Sequence, residues 1–175
     1  EVDPEDPAFD NPTKYVGPFF NEEEANALSQ ELGWKMREDS GRGYRHVVPS
    51  PQPKHIVDIS LIDAVAKRGA VVIAGGGGGV PVIRDEKGRR FGIEAVIDKD
   101  RTSALMANVL GITDMIIMTA VPRVAINFGK PDQKSLERVT LSEIRKLHAE
   151  GHFPPGSMGP KIDAAIQFLE GGGKR

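Results

Sequence analysis

The chain has 175 residues, 39% of them hydrophobic and 27% charged, with a formal net charge of -2, the make-up of a globular domain able to bury a core. The slight acidic excess excludes the clustered positive charge that holds a nucleic-acid backbone, and the longest apolar runs are too short to span a bilayer, so neither partner is expected. With no cysteine, disulfides, thiolate metal sites and thiol nucleophiles are excluded, which fits a cytoplasmic protein.

The acidic, proline-rich start Glu1-Val2-Asp3-Pro4 is neither a signal nor a transit peptide, and the missing initiator methionine hints that sequence precedes it. Asn21 and Glu24 form a capping box, and Ala25, Leu28 and Leu32 follow at helical spacing before Gly33, which predicts a helix over 22–32. Residues 34–53 change to charge, glycine and proline, read as a short strand or hairpin and an extended connection. A helix is then expected over 59–68, an apolar strand over 70–74, five glycines at 75–79, and a second strand at 80–84 that turns at Lys87-Gly88 and returns through Phe91 and Ile93. Asp98 opens a helix to about Leu110, residues 115–119 read as another strand, Thr140 and Glu143 cap a helix to Glu150, and Pro160 starts a helix closing at Gly171. Apolar strands separated by helices predict an α/β fold whose mainly parallel central sheet is covered on both faces. The expected organisation is an arm with its connection over 1–53 and an α/β lobe over 54–175.

In such a sheet, ligands gather where loops and helix amino termini meet the strand ends. Gly75, Gly76, Gly77 and Gly78 follow a buried-strand pattern and let a backbone approach an anion, although the run lacks the P-loop signature and reads equally as a flexible turn. Asp98 reads as an N-cap, but Lys99 at a helix amino end opposes the dipole unless an anion binds there, and Asp100 is placed to hold it. Lys161 lies on the first turn of the last helix, after the loop Gly156-Ser157-Met158-Gly159, where phosphate meets amides and positive charge together; a solvated lysine is the plainer alternative. Lys14, read in an irregular arm, offers only a solvated charge. The basic run Arg37, Arg42 and Arg45 reads as a solvated face or an anion-gripping loop. His46, His55, His148 and His152 lack zinc spacing and are read as ordinary surface or core residues. From the residues alone, two lysines at two helix starts and a glycine loop describe a phosphate-handling site without a nucleophile or general base.

These segments resemble carbamate kinases: Asp6 through Pro12-Thr13-Lys14 to Phe19, Gly41-Arg42-Gly43-Tyr44-Arg45 to Pro51, Ala74 to Pro81, Glu94 to Asp100, Ile126-Asn127-Phe128-Gly129-Lys130-Pro131, and Gly156 to Lys161. They come in the family's order over nearly the whole chain. The resemblance implies the three-layer amino-acid kinase fold with a protruding arm subdomain, a homodimer, and phosphoryl transfer between ADP and carbamoyl phosphate to give ATP and carbamate with Mg2+, in arginine breakdown. It implies that Lys99 and Lys161 neutralise the migrating phosphoryl group, that Asp100 orients them, and that Lys14 reaches toward the carbamoyl end. Thr119, Ala120, Val121, Val124, Asn127 and Met158, with Lys161, are then expected along the nucleotide. Pro122 stands where the family usually has aspartate, and Ala125 where an aromatic residue is common. The match covers the later part of the family's chain, so a preceding lobe with its own glycine-rich loops is expected, and these residues alone are not expected to turn over. A catalytically silent nucleotide-binding member of the fold and a kinase of another small carboxylate are the alternatives.

Overall fold

A computed structural model describes residues 1–154 and 157–175; Gly156, the first residue of the expected phosphate loop, lies outside the described residues. In the described residues the chain is mixed α/β and divides into two units, residues 1–55 with 79–97 and residues 56–78 with 98–175. The first unit therefore takes in residues 79–97 as well as the arm expected over 1–53.

In the first unit, β1 (Lys14–Phe20), β2 (Met36–Glu38) and β3 (Tyr44–Val48) form an antiparallel sheet in the order β1-β3-β2. Lys14, expected in irregular chain, instead starts β1 and pairs with Val48, because the run Lys14 to Val16 finds a ladder on β3 that local sequence does not reveal. Helix α1 (Glu22–Leu32) forms as its capping box predicts: Asn21 accepts from the Glu24 amide at 2.9 Å, the Glu24 carboxylate accepts from the Asn21 amide at 2.9 Å, and Gly33 closes the helix at φ 67°. Gly43 has a steric reason to be glycine, since a Cβ there would lie 2.8 Å from the Phe20 carbonyl oxygen. The strands β4 (Val82–Arg84) and β5 (Arg90–Gly92) make the expected hairpin around Gly88.

The second unit holds α2 (Ile59–Ala66), α3 (Lys99–Val109), α4 (Leu141–Ala149) and α5 (Met158–Glu170), with the hairpin β6 (Ala125–Ile126) and β7 (Lys134–Ser135). This hairpin was not predicted; its two-residue strands fall below the length at which alternation can be read. Helix α5 begins two residues before Pro160, which then sits inside the first turn, where its missing amide donor costs nothing. Two clusters make the core. Ala104, Ala107, Ala164 and Phe168 join α3 to α5, with Met115 and Ile117 packed against them. Ile144, Phe153 and Ile162 join α4 to α5, with Val124, Ile126 and Met158 at their edge.

The expected parallel strands at 70–74 and 115–119 are not formed: every sheet among the described residues is antiparallel and small. Both segments keep a strand's period of two. Val71 and Ile73 are 95% and 97% exposed around a half-buried Val72, while Ile116 and Met118 are 86% and 85% exposed beside the packed Met115 and Ile117. A parallel ladder requires neighbouring chain along its length; the segment at 115–119 meets the chain end only at its start, where the Met115 amide donates to the Arg175 carbonyl at 2.8 Å.

Candidate functional site

The site is built at the amino ends of α3 and α5. Asp98 caps α3 in β geometry, its carboxylate accepting from the Asp100 amide at 2.9 Å, so the first turn carries Lys99 and Asp100 on a fixed backbone. Asp100 is 7% exposed. Burying a carboxylate is costly unless charge and hydrogen bonds compensate it, and here two ammonium groups converge on the same oxygen. The Lys161 Nζ donates to Asp100 Oδ2 at 3.0 Å, and the Lys99 Nζ lies 3.5 Å from it. Lys161 is largely enclosed, while the Lys99 side chain is 59% exposed. Asp100 thus fixes one lysine in place and tethers one that remains open to a ligand. Two positive charges share Asp100 as a negative partner at two helix amino ends, where the dipoles also favour an anion.

The glycine run belongs to the same unit and is pinned by a residue sequence reasoning missed. The Thr102 hydroxyl donates to the Gly78 carbonyl at 2.7 Å, and the Gly78 amide closes a turn on the Gly75 carbonyl at 2.8 Å. Gly75 and Gly76 hold φ of 77° and 49°, left-handed geometry that glycine adopts without strain. The loop therefore forms a turn tied to α3. Between it and α3 lies a cavity of about 190 Å³, lined by Gly75, Gly76, Gly78, Lys99, Thr102 and Ser103 at its polar end and by Met106 and Leu110 further along. Thr102 was findable: it lies one helical turn from Asp98, on the face of α3 that carries Met106.

The expected nucleotide residues are only partly gathered. Val124 and Met158 pack at the edge of one apolar cluster, whose core includes Ile162, the neighbour of Lys161. Thr119 and Ala120 are exposed, and Val121 is half-buried. The Asn127 amide is engaged within its own turn, donating to Asp132 at 2.6 Å with the backbone at φ 52°. Among the described residues no group of three or more His, Asp or Glu side chains is arranged to hold a metal ion. Asp100 is already spoken for by two lysines, so the residues fit a magnesium ion carried by nucleotide phosphates better than one held in a protein cage.

Within the first unit, Arg42 and Arg45 of the basic run share an acidic partner, while Arg37 is exposed and donates to Asn11. Arg42 and Arg45 grip the buried Asp39 at 2.9 and 3.3 Å and lie 4.9 and 5.1 Å from the centre of the Phe19 ring. The hydrogen bond from Arg42 holds the Asp39 carboxyl below its ordinary range, with Arg45 adding to it against the opposing effect of burial. No helix among the described residues is long and apolar enough to cross a membrane.

Residues 20–175 match the model of the amino acid kinase family. The carbamate kinase of Thermococcus kodakarensis is 52% identical over 174 residues, 99% of this chain and 55% of that protein. The carbamate kinase-like protein YahI of Escherichia coli is 48% identical over 175 residues, again 55% of its own length. Among solved structures, one from Aeropyrum pernix superposes with a TM-score of 0.89 at 48% identity, and the Giardia lamblia carbamate kinase bound to AMP-PNP with 0.84 at 46%, each over 99% of this chain and 55% of the other. The chain spans about half the length of the relatives it matches. The match of the family model over nearly the whole chain, with likeness in sequence and in fold to these proteins, makes the chain a member of the amino acid kinase family.

Proposed function

We propose that this chain is the phosphoryl-handling part of a carbamate kinase, which moves a phosphoryl group between carbamoyl phosphate and ADP. The observation that carries the reading is the buried Asp100 carboxylate clasping Lys99 and Lys161 at two helix amino ends. The bond from phosphorus to the carbamoyl oxygen breaks as the bond from phosphorus to the terminal ADP oxygen forms, giving carbamate and ATP. Such transfer depends on positioning and on charge stabilisation at the phosphoryl oxygens. The Lys161 ammonium, fixed by Asp100, and the more exposed Lys99 ammonium supply that charge. Carbamate is already an anion, so the reverse reaction needs no base, in keeping with the absence of a histidine from the lysine cluster. Magnesium, bound with the nucleotide, supplies further neutralisation of the phosphate charge. Val124 and Met158 offer an apolar surface for the nucleotide, and Lys14 on β1 is assigned to the carbamoyl end.

The complete enzyme, on this reading, has a further lobe whose strands pair with the segments at 70–74 and 115–119. The bare apolar side chains there and the roughly twofold greater length of the relatives support it. A cytoplasmic homodimer completes the proposal. The test is ATP formation from carbamoyl phosphate, ADP and magnesium by the full-length protein. Transfer that disappears with Lys161→Ala supports the reading. A second reading, a nucleotide-binding protein that does not turn over, is favoured by Pro122 and by likeness to the carbamate kinase-like protein of Escherichia coli. Binding of an ATP analogue without transfer by the full-length protein selects it.

A further inference from the structure

Lys161 has a neighbour on α5 that joins three helices. Asp163 Oδ1 lies 2.7 Å from His148 Nε2 on α4, and its Oδ2 lies 3.9 Å from an Arg101 terminal nitrogen on α3. Arg101 directly follows Asp100, and Asp163 is two residues beyond Lys161, about 200° around the helix axis. Helix α5 is therefore gripped on two faces near its amino end: by Asp100 through Lys161, and by Arg101 and His148 through Asp163. The two apolar clusters already seat α5 against α3 and α4, and these polar contacts refine its roll at the end that carries Lys161. The far end of the α3–α5 pair is fixed separately, where the Asn108 side-chain amide donates to the Gln167 carbonyl at 2.9 Å.

The histidine is oriented for this task. Its ring stacks on Phe153 with centroids 6.1 Å apart, and its buried Nδ1 has no hydrogen-bond partner among the described residues. A proton on Nδ1 would be left unpaired there, so the favoured tautomer carries its proton on Nε2 and donates it to Asp163. All three side chains retain solvent contact, and pairs of this kind contribute little to global stability. Their consequence lies in geometry.

We infer that Asp163, held by His148 and Arg101, is a positioning residue that sets the roll of α5 and thereby the place of the Lys161 ammonium against Asp100. The inference rests on the phosphoryl-transfer reading of the lysine cluster. In the full-length protein, Asp163→Ala lowers kcat about tenfold with KM for the nucleotide little changed, the scale expected of a misplaced charge. His148→Phe keeps the ring against Phe153 but loses the donor, and lowers kcat roughly threefold; His148→Gln, which retains a donor, restores it. In a Lys161→Ala background, Asp163→Ala adds no further loss, because the residue acts through the lysine. Equal losses in both backgrounds, an unchanged kcat, or a His148→Gln variant no better than His148→Phe overturn the inference. A readout independent of turnover is the crystal structure of the Asp163→Ala full-length protein. The Lys161 Nζ is expected to leave Asp100 Oδ2, and retention of the 3.0 Å contact contradicts the proposal even if the protein has no transferase activity.

Discussion

Helices α3 and α5 and the segments at 70–74 and 115–119 all carry apolar side chains in one unit, but they reach opposite ends. The helices close a core in which Ala104 and Ala164 are wholly buried and Phe168 is 2% exposed, while the two segments leave Val71, Ile73, Ile116 and Met118 almost bare. The difference follows from where backbone hydrogen bonds go. A helix satisfies most of its own amides within a dozen residues, and α3 and α5 bury their apolar side chains against each other and, for α5, against α4. A strand satisfies none of its amides alone and depends on neighbours on both sides. The lysine cluster stands on the self-sufficient part of the unit, which is why its geometry is formed in these residues.

The largest expected effect tests the site end of the comparison. Lys161→Ala in the full-length protein should reduce phosphoryl transfer by at least about a hundredfold, the scale of removing one preorganised charge from a transfer site. Steady-state kinetics decide it, and a loss below about threefold would break the link between the cluster and the chemistry.

A stability pair tests the comparison itself. Phe168→Ala should cost about 3–5 kcal/mol in urea unfolding of residues 1–175, while Ile116→Ala should stay within about 0.5 kcal/mol. In the full-length protein the Ile116 cost should rise to about 2 kcal/mol or more, because covering strands would bury it. Equal Ile116 costs in the two proteins would mean that nothing covers that face.

How much of this was legible in sequence divides along the same line. The capping boxes Asn21–Glu24 and Thr140–Glu143 and the N-cap Asp98 are local patterns, and all three form as read. The residues alone place Lys99 and Lys161 at two helix starts of one phosphate-handling site and Asp100 beside Lys99, whereas the hold of Asp100 on Lys161 was legible only through the resemblance. The ladder that takes in Lys14, the β6–β7 hairpin and the Thr102–Gly78 bond depend on partners distant in sequence or on strands too short to show alternation. The bare segments were read as buried strands because periodicity reports the face a segment presents, not whether anything lies against it.

Smaller effects sharpen the local side. Thr140→Ala should destabilise α4 by about 1 kcal/mol through loss of the cap, measured by thermal or urea unfolding. In the first unit, hydrogen bonds from Arg84 and then Arg90 hold the Glu1 carboxyl down at about 2 from an ordinary 4.5. A depressed carboxyl contributes stability that is full above its unfolded value and lost as pH falls through the folded one, so this contribution should fade between pH 4.5 and about 2. An NMR titration of the Glu1 side-chain carboxyl carbon should show a midpoint near 2, and a midpoint near 4.5 would mean that the two arginines do not hold it in solution.

The most direct test of the central claim is a crystal structure of the full-length protein with ADP, magnesium and a planar metal fluoride standing in for the migrating phosphoryl group. The account predicts the Lys99 and Lys161 ammonium groups both within about 3 Å of that fluoride, with Asp100 still bridging them. A fluoride bound while either ammonium stays beyond about 6 Å, too far for a charge-assisted hydrogen bond, would contradict it.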